Sequence, residues 1–289
     1  FNNHCSIFKT IEEKERLLHL PYHSYNYILR FFNEAAIDPS VKEIYVTLYR
    51  VAADSHIVNA LISAAKNGKR VSVFVELKAR FDEANNLKWS KKMKAAGIKI
   101  INSIPGLKVH AKVALIKRWE NKQWKDYSFM GTGNFNETTG KFYTDHVFFT
   151  TNPAFSEELE MLFVYLQSRT QPVLYGKIEF NHLLVSQFNM IKQFNKLIDR
   201  EIKNAKKGEP AGIIIKLNNL QEREMIARLY EASEAGVKVQ LLVRSICCLA
   251  PGLEKQSKNI AVHRIVDRYL EHARVFVFQN GGEPLYYMG

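Results

Sequence analysis

Cysteine is scarce in this chain of 289 residues, and its three copies exclude two structural classes. Cys5 stands alone, whereas Cys247 and Cys248 are adjacent, a spacing that almost never supports an ordinary disulfide. Because the sequence contains no CxxC pair, neither a disulfide scaffold nor a zinc ribbon is indicated. This cysteine usage fits a reducing compartment, and we expect a cytoplasmic protein.

Long apolar runs are also lacking. No segment approaches the length that crosses a bilayer, and the first residues show neither the basic nor the apolar region of a signal peptide. The chain starts at Phe1 rather than at a methionine and stops within the segment EPLYYMG. We therefore expect a fragment of a longer protein.

Acidic residues are outnumbered, since 29 Asp and Glu face 41 Lys and Arg and leave a net charge of +12. Such an excess favours a polyanionic partner, which includes nucleic acid, an acidic membrane surface or phosphate in another form. Charge alone does not choose among them. The chain is long enough for two ordinary domains, and an apolar fraction of 46% supports a substantial core.

A strand–helix–strand pattern occurs twice along the chain. The three elements are predicted at 41–50, 54–68 and 70–80 in the first half, and at 212–220, 221–236 and 237–245 in the second. Strands that alternate with helices predict α/β domains, each with a mainly parallel or mixed sheet covered by helices. We place the first domain at 1–172 and the second at 173–289, with helices between about 153 and 205 joining the two halves.

A histidine stands two positions before a basic residue at the same stage of both halves. The first pair, His110 and Lys112, lies in the segment GLKVHAKVALI (106–116), whose alternating apolar residues predict a strand, and side chains at this spacing project from one face of a strand. The second pair, His272 and Arg274, lies in the segment YLEHARVFVF. A single such face is typical of a solvated strand. Two matched basic faces indicate a site shared by the halves.

These pairs, with GTGNFN after the first, resemble the phospholipase D superfamily. Longer motifs resemble the C-terminal half of the bacterial polyphosphate kinase family, and they are TLYRVAADSHIV, VELKARFDEANN, PGLKVHAKVALI, GTGNFNETTGKFYTDH and IVDRYLEHARVFVFQNGG. The resemblance covers nearly the whole chain, without that family's N-terminal and head domains. It implies two phospholipase D-like α/β sandwich domains related by an internal repeat, the second truncated at its C-terminus.

The family reaction is the reversible transfer of the ATP γ-phosphate to inorganic polyphosphate, with Mg²⁺ and a phosphohistidine intermediate. By motif match, His110 is expected to be the phosphorylated nucleophile, and His272 the second histidine, which contacts nucleotide or phosphate and acts as general acid. The remaining matches are Tyr143 and Arg244 at nucleotide-contacting positions and Arg50 and Arg80 at the magnesium–phosphate site. The implied partners are ATP or ADP and polyphosphate rather than nucleic acid. We expect a homo-oligomer for the full-length protein, and the basic charge allows peripheral membrane association.

The chemistry of these residue types agrees with phosphoryl transfer. A neutral imidazole is a competent nucleophile near neutral pH, and Lys112 neutralises the phosphate under attack as a point charge. Asn134, in a turn bracketed by glycine, is positioned to donate an amide hydrogen bond to the same phosphate. Arginine offers a bidentate fork for phosphate oxygens, which suits Arg50, Arg80, Arg244 and Arg274.

Arginine has no lone pair for a metal, so we expect Arg50 and Arg80 to bind the phosphates that carry Mg²⁺. Glu76 and Asp82 are candidates for a carboxylate ligand through their neighbourhood alone. Asp145 either orients a neighbouring group or caps a turn.

Two alternatives stay open from the sequence. One is a phospholipase D-like phosphodiesterase, although Lys117 stands where that superfamily has an aspartate, and Arg274 replaces the second lysine. The other is a non-catalytic module that binds polyphosphate or nucleic acid, although two complete basic faces exceed what simple binding requires. If the protein is a polyphosphate kinase, we expect the isolated fragment to have weak activity or none, because the family's nucleotide site also uses the N-terminal domain.

Overall fold

The chain divides into two units, residues 1–183 and residues 184–289, each with its own sheet and apolar core. The structure, a computed structural model, describes residues 5–76, 83–104, 106–171 and 178–289. Both units combine helices with strands, which confirms the predicted α/β class. Among the described residues, no helix has the length and apolar character to cross a membrane.

The first unit contains five helices and seven strands among the described residues. Its helices are α1 (Ile7–Glu13), α2 (Asn26–Ile37), α3 (His56–Lys66), α4 (Glu83–Ala95) and α5 (Pro153–Ser168). Its strands are β1 (Arg16–Leu20), β2 (Val41–Leu48), β3 (Arg70–Val75), β4 (Lys99–Asn102), β5 (Lys112–Glu120), β6 (Gln123–Gly131) and β7 (Tyr143–Thr150). A short 3₁₀ turn spans Thr139–Lys141.

The strands of the first unit lie in the order β1-β7-β6-β5-β2-β3-β4. Strands β2, β3 and β4 are parallel, because α3 and α4 provide the crossovers that parallel neighbours require. Ser55 starts α3 by accepting the Val58 N–H at 3.2 Å, and Gly68 follows the helix with a φ of 81°. The other neighbouring pairs in this order are antiparallel.

The directions of these strands place several chain ends at one edge of the sheet. The carboxyl ends of β2, β3 and β6 lie beside the amino ends of β5 and β7, since β5 is antiparallel to both β2 and β6. We call this edge the first strand-end edge. The segments that leave or enter the sheet there carry Arg50, His110, Asn134 and Tyr143.

Strand β5 begins at Lys112, six residues later than the predicted start at 106. The reason lies on β2, where the Thr47 hydroxyl donates to the Ala111 carbonyl at 2.7 Å and accepts the Val113 N–H at 3.1 Å. A side chain thereby takes backbone groups that a longer ladder would use. Residues 112–116 are all buried, so this strand lacks the solvated face that alternation predicts.

Strands β5 and β6 join through a two-residue turn in which Asn121 and Lys122 have φ values of 52° and 62°. Positive φ at both positions is typical of the tight turn that matches the twist of a hairpin. Trp119 and Trp124 pair across this hairpin with ring centroids 5.2 Å apart, and they are 42% and 46% exposed. In contrast, Trp89 of α4 is buried and donates to the Ala52 carbonyl at 3.2 Å.

The second unit has the helices α6 (Ile191–Lys206) and α7 (Arg223–Glu234). Its strands are β8 (Gly212–Leu217), β9 (Lys238–Val243), β10 (Ile260–His263), β11 (Leu270–Glu271), β12 (Val275–Phe278) and β13 (Leu285–Met288). A π-helical turn, Ser186–Met190, precedes α6, and a 3₁₀ turn spans Asn280–Gly282. The sheet order is β10-β9-β8-β12-β13, with β8, β9 and β10 parallel and the last two strands antiparallel.

The two sheets share one topology, which confirms the predicted internal repeat. The order β4-β3-β2-β5-β6 of the first unit corresponds to β10-β9-β8-β12-β13 of the second. The registers also agree, because Lys112 pairs with Gly131, while Arg274 and Gly289 exchange two backbone hydrogen bonds of 3.0 Å. Lys112 and Arg274 therefore occupy equivalent positions.

A buried carboxylate secures the end of the first unit. Glu158 on α5 is 4% exposed and accepts the N–H groups of Asn181 (2.7 Å), His182 (3.0 Å) and Leu183 (2.7 Å). Burial by itself raises the pKa of the Glu158 carboxyl, but the N–H groups of Leu183, Asn181 and His182 outweigh it and hold this pKa below its ordinary value.

We expect Glu158→Ala to lower the free energy of unfolding by ~3 kcal/mol at neutral pH, because three N–H groups lose their acceptor. A lowered folded-state pKa gives stability that is present above the ordinary glutamate pKa and is lost as pH falls through the folded value. The difference in the free energy of unfolding between Glu158→Ala and the wild type should therefore become smaller at acidic pH. Urea denaturation at several pH values measures this, with exposed Glu157→Ala as control. Equal losses in both variants would contradict the prediction.

Candidate active site

A buried tyrosine organises the basic side chains at the first strand-end edge. Tyr49 directly follows β2, is 8% exposed, and has its ring centroid 4.8 Å from that of His110 in a T-shaped contact. Three cationic groups surround the same ring, since Arg50 Cζ lies 5.6 Å, Lys108 Nζ 5.8 Å and Lys112 Nζ 5.6 Å from its centroid. We call these five residues the Tyr49 cluster.

The cluster concentrates positive charge at one place. A ring face attracts cations, which helps to hold three of them together despite their mutual repulsion. An anion bound among them would relieve that repulsion. The cluster therefore has the electrostatic character of an anion-binding site.

His110 and Lys112 are in direct contact, as their shared spacing predicted. Lys112 Nζ lies 2.7 Å from Nδ1 and 2.9 Å from Nε2 of His110. Because an ammonium group can only donate, a hydrogen bond between the two side chains needs an imidazole nitrogen that carries a lone pair. Lys112 is 3% exposed whereas His110 is exposed, so a buried cation supports an imidazole that faces solvent.

The turn after β6 carries Asn134 at the same edge. Thr132 donates its hydroxyl to Asp145 Oδ1 at 2.6 Å and accepts the His146 N–H at 3.0 Å, which fixes this turn to β7. Asp145 thus orients a neighbouring hydroxyl, one of its two predicted roles. The buried Oδ1 of Asn134 has no hydrogen-bond partner among the described residues.

Tyr143 begins β7, two strands away from β5 in the sheet order. At the usual strand spacing this corresponds to about 10 Å between the strands. The ring is half-buried and makes a T-shaped contact with Phe142, at a centroid distance of 5.2 Å. The predicted nucleotide-contacting tyrosine therefore shares the strand-end edge with the Tyr49 cluster.

The second unit gathers its predicted residues at the corresponding edge of its own sheet. Arg244 directly follows β9, and His272 and Arg274 precede β12. Arg244 donates from Nη1 to the Glu271 carbonyl at 2.9 Å, while the Glu271 carboxylate forms an ion pair with Lys216. His272 is 9% exposed, which makes it more buried than its counterpart His110.

The carboxylates near the Tyr49 cluster do not form a dedicated metal cage. The described residues contain no group of three histidine, cysteine, aspartate or glutamate side chains placed to hold a metal ion. Glu76 instead accepts the Val109 N–H at 3.2 Å. The predicted residues Arg80 and Asp82 lie outside the described residues.

Sequence reasoning did not single out Tyr49 or the structural contact of Glu76. The available signal for Tyr49 was its place between a buried strand and Arg50 in LYR. No local pattern indicates that Glu76 accepts an amide from a residue 33 positions away.

Comparisons with known proteins agree with this geometry. The family model for polyphosphate kinase C-terminal domain 1 matches residues 6–172, and the model for domain 2 matches residues 183–289. The polyphosphate kinase of Escherichia coli (strain K12) is 46% identical over 281 residues, which cover 97% of this chain and 40% of that protein. The chain thus spans about 40% of the length of the curated relatives it matches.

Two solved structures share the fold. The crystal structure of polyphosphate kinase from Porphyromonas gingivalis matches with a TM-score of 0.89 at 45% identity, covering 99% of this chain and 47% of that chain. A mutant of yeast tyrosyl-DNA phosphodiesterase matches with a TM-score of 0.52 at 9% identity, covering 92% of this chain and 78% of that one. At such low identity the second likeness concerns the fold alone.

We expect Gly133→Ala to destabilise the first unit by ~2 kcal/mol, because a Cβ at this position would overlap the Asp145 carboxylate. Thermal denaturation measures the effect. Gly212→Ala is a suitable control, since its Cβ would lie at an ordinary 3.7 Å from the Lys238 carbonyl oxygen. A Gly133 variant as stable as the wild type would show that the Asp145 side chain is free to move aside.

Proposed function

Since the chain belongs to the polyphosphate kinase family and carries both of its C-terminal domains, we propose that the full-length protein is an ATP:polyphosphate phosphotransferase. In this proposal it transfers the γ-phosphate of ATP reversibly to inorganic polyphosphate through a phosphohistidine at His110. The observation that carries the role of His110 is the contact between its exposed imidazole and the buried Lys112 ammonium.

The proposed reaction has two displacements at phosphorus. A neutral imidazole nitrogen attacks the γ-phosphorus, an N–P bond forms, and the P–O bond to the β-phosphate breaks, so that ADP leaves with the electron pair. The terminal oxygen of polyphosphate then attacks the phosphohistidine. A new P–O bond forms, and the electron pair of the N–P bond returns to the imidazole.

The cations of the Tyr49 cluster would neutralise the transferred group. Lys112 lies against the nucleophile and acts as a fixed point charge, while Arg50 offers two parallel N–H donors to phosphate oxygens. Asn134 is proposed to donate its amide at the same edge. Groups that already lie in place when the substrate arrives would lower the cost of reorganisation.

Tyr143, Arg244, His272 and Arg274 are proposed to bind nucleotide and phosphate, with His272 also serving as general acid. What supports this proposal is the family resemblance, together with their places at the strand-end edges of the two sheets.

Members of this family generally use a divalent metal, and we propose that it is Mg²⁺. Guanidinium groups have no lone pair for the ion, and the described residues offer no three-ligand cage. We therefore propose that Mg²⁺ arrives bound to the nucleotide phosphates, and that Arg50 and Arg80 bind those phosphates rather than the ion.

The environment of Lys117 weighs against a phosphodiesterase. This residue replaces the aspartate of the phospholipase D signature, and it forms ion pairs with Glu160 at 2.8 Å and Asp126 at 3.9 Å. It lies in the middle of β5, five residues from Lys112. Its charge is thus used for pairing within the first unit.

Four further expectations remain proposals. We propose a homo-oligomeric full-length protein, a cytoplasmic location, and sequence domains of 1–172 and 173–289, which differ from the structural units of 1–183 and 184–289 in the assignment of residues 173–183. The net charge of +12 supports peripheral association with an acidic membrane.

We expect the full-length protein to acquire acid-labile, base-stable label when it is incubated with Mg²⁺ and ATP labelled on the γ-phosphate. His110→Ala should abolish the label, because His110 supplies the imidazole of the Tyr49 cluster, whereas the protonated lysine and arginine side chains around it lack an available lone pair for attack. The exposed His56→Ala variant is the matched control and should label normally. Cleavage of a phosphodiester without label would favour the hydrolase, and the absence of both label and cleavage would favour a binding module.

We expect the isolated chain of 289 residues to elongate polyphosphate at least about 100-fold more slowly than the full-length protein, since the family resemblance places part of the nucleotide site in the N-terminal domain. Polyphosphate synthesis by both proteins at equal concentration measures the ratio. Comparable rates would refute this expectation.

A further inference from the structure

Glu76 and Arg244 occupy the same position in the two sheets. Each directly follows the second strand of its repeat, β3 or β9. Each donates its backbone N–H to the end of the neighbouring strand, Glu76 to the Leu48 carbonyl and Arg244 to the Leu217 carbonyl, both at 3.0 Å. The repeat therefore places an acid in one unit where it places a base in the other.

Both side chains bind the backbone of the residue just before a proposed site histidine. Glu76 Oε2 accepts the N–H of Val109 at 3.2 Å, next to His110. Arg244 Nη1 donates to the carbonyl of Glu271 at 2.9 Å, next to His272. The donor and acceptor roles are inverted, but the segment that is held is equivalent.

The contact matters most in the first unit, because His110 lies outside the sheet. Strand β5 begins at Lys112, so the position of His110 depends on contacts other than ladder hydrogen bonds. Thr47 holds the Ala111 carbonyl on one side of His110, and Glu76 holds the Val109 N–H on the other.

Glu76 is itself held firmly. It is 2% exposed, and Asn86 donates its side-chain amide both to the Glu76 carbonyl at 3.0 Å and to the Tyr49 carbonyl at 2.9 Å. Asn86 thereby ties the end of β3 to the tyrosine whose ring contacts His110. A carboxylate on such a support can define the position of the segment that it binds.

We infer that Glu76 is the positioning residue for His110: its carboxylate, acting through the Val109 N–H, sets where the imidazole stands relative to Lys112 and Arg50. The expected effect on phosphohistidine formation rests on the proposed function, whereas the expected effect on the position of His110 does not. The inference depends on the length of the Glu76 side chain, because its acceptor oxygen must extend as far as the Val109 N–H.

Two conservative variants separate position from charge. Glu76→Gln keeps the length of the side chain and a carbonyl acceptor but removes the charge, whereas Glu76→Asp keeps the charge but is one methylene shorter. A positioning role predicts that Glu76→Asp slows phosphohistidine formation in the full-length protein by about 100-fold, with little change in the KM for ATP. Glu76→Gln should stay within about 10-fold of the wild-type rate.

Rapid-quench labelling with ATP labelled on the γ-phosphate measures both rates. Glu43→Asp provides the matched control, since Glu43 is also buried in this sheet but lies near the opposite end of β2. An Asp variant faster than the Gln variant would show that charge dominates and would overturn the inference. Phosphohistidine formation at the wild-type rate in both Glu76 variants would overturn the inference as well.

A second measurement keeps the inference testable if the wild type forms no phosphohistidine, which would refute the proposed function alone. The imidazole resonances of His110, assigned by His110→Ala in ¹⁵N-histidine spectra, should shift in Glu76→Asp and stay near their wild-type positions in Glu76→Gln. Unchanged resonances in Glu76→Asp would overturn the inference, whatever the activity.

Discussion

The contact between the Lys112 ammonium and the His110 imidazole is the interaction on which the candidate site depends. It requires a lysine to be buried at the start of a strand while the residue two positions earlier stays in solvent. The sheet makes this arrangement possible, because β5 enters antiparallel between β2 and β6 and brings the basic segment beside two departing strands. The Tyr49 ring then gives three cations a common surface, so that positive charge accumulates beside the His110 imidazole.

The internal repeat supplies two versions of this architecture, and their differences are informative. The backbone hydrogen bonds are conserved in register between the sheets, down to the equivalent pairs Lys112 with Gly131 and Arg274 with Gly289. The side chains at equivalent positions differ, as Glu76 in the first unit and Arg244 in the second show. One backbone geometry thus accommodates an exposed histidine in one unit and a mostly buried one in the other.

Much of this architecture could be predicted from the sequence, because the same local order of strands and helices occurs in both halves. Two strand–helix–strand patterns identify both α/β units, and the i, i+2 spacing identifies His110 and Lys112 as neighbours. The start of β5 was misplaced because the Thr47 side chain takes the backbone groups of Ala111 and Val113. Tyr49 and Glu76 were missed as parts of the site for a related reason, since their contacts join segments far apart in the chain.

The distribution of tryptophan has a practical consequence. All three tryptophans, Trp89, Trp119 and Trp124, belong to the first unit. Trp89 is buried and donates a hydrogen bond to the carbonyl of Ala52, which lies two residues after Arg50. Trp119 and Trp124, in the hairpin, are exposed to water. Intrinsic fluorescence excited at the red edge of indole absorption therefore reports on one unit only. Its blue-shifted component arises from the buried indole of Trp89, beside the segment that carries Arg50, which gives an optical probe of that half of the chain without any label.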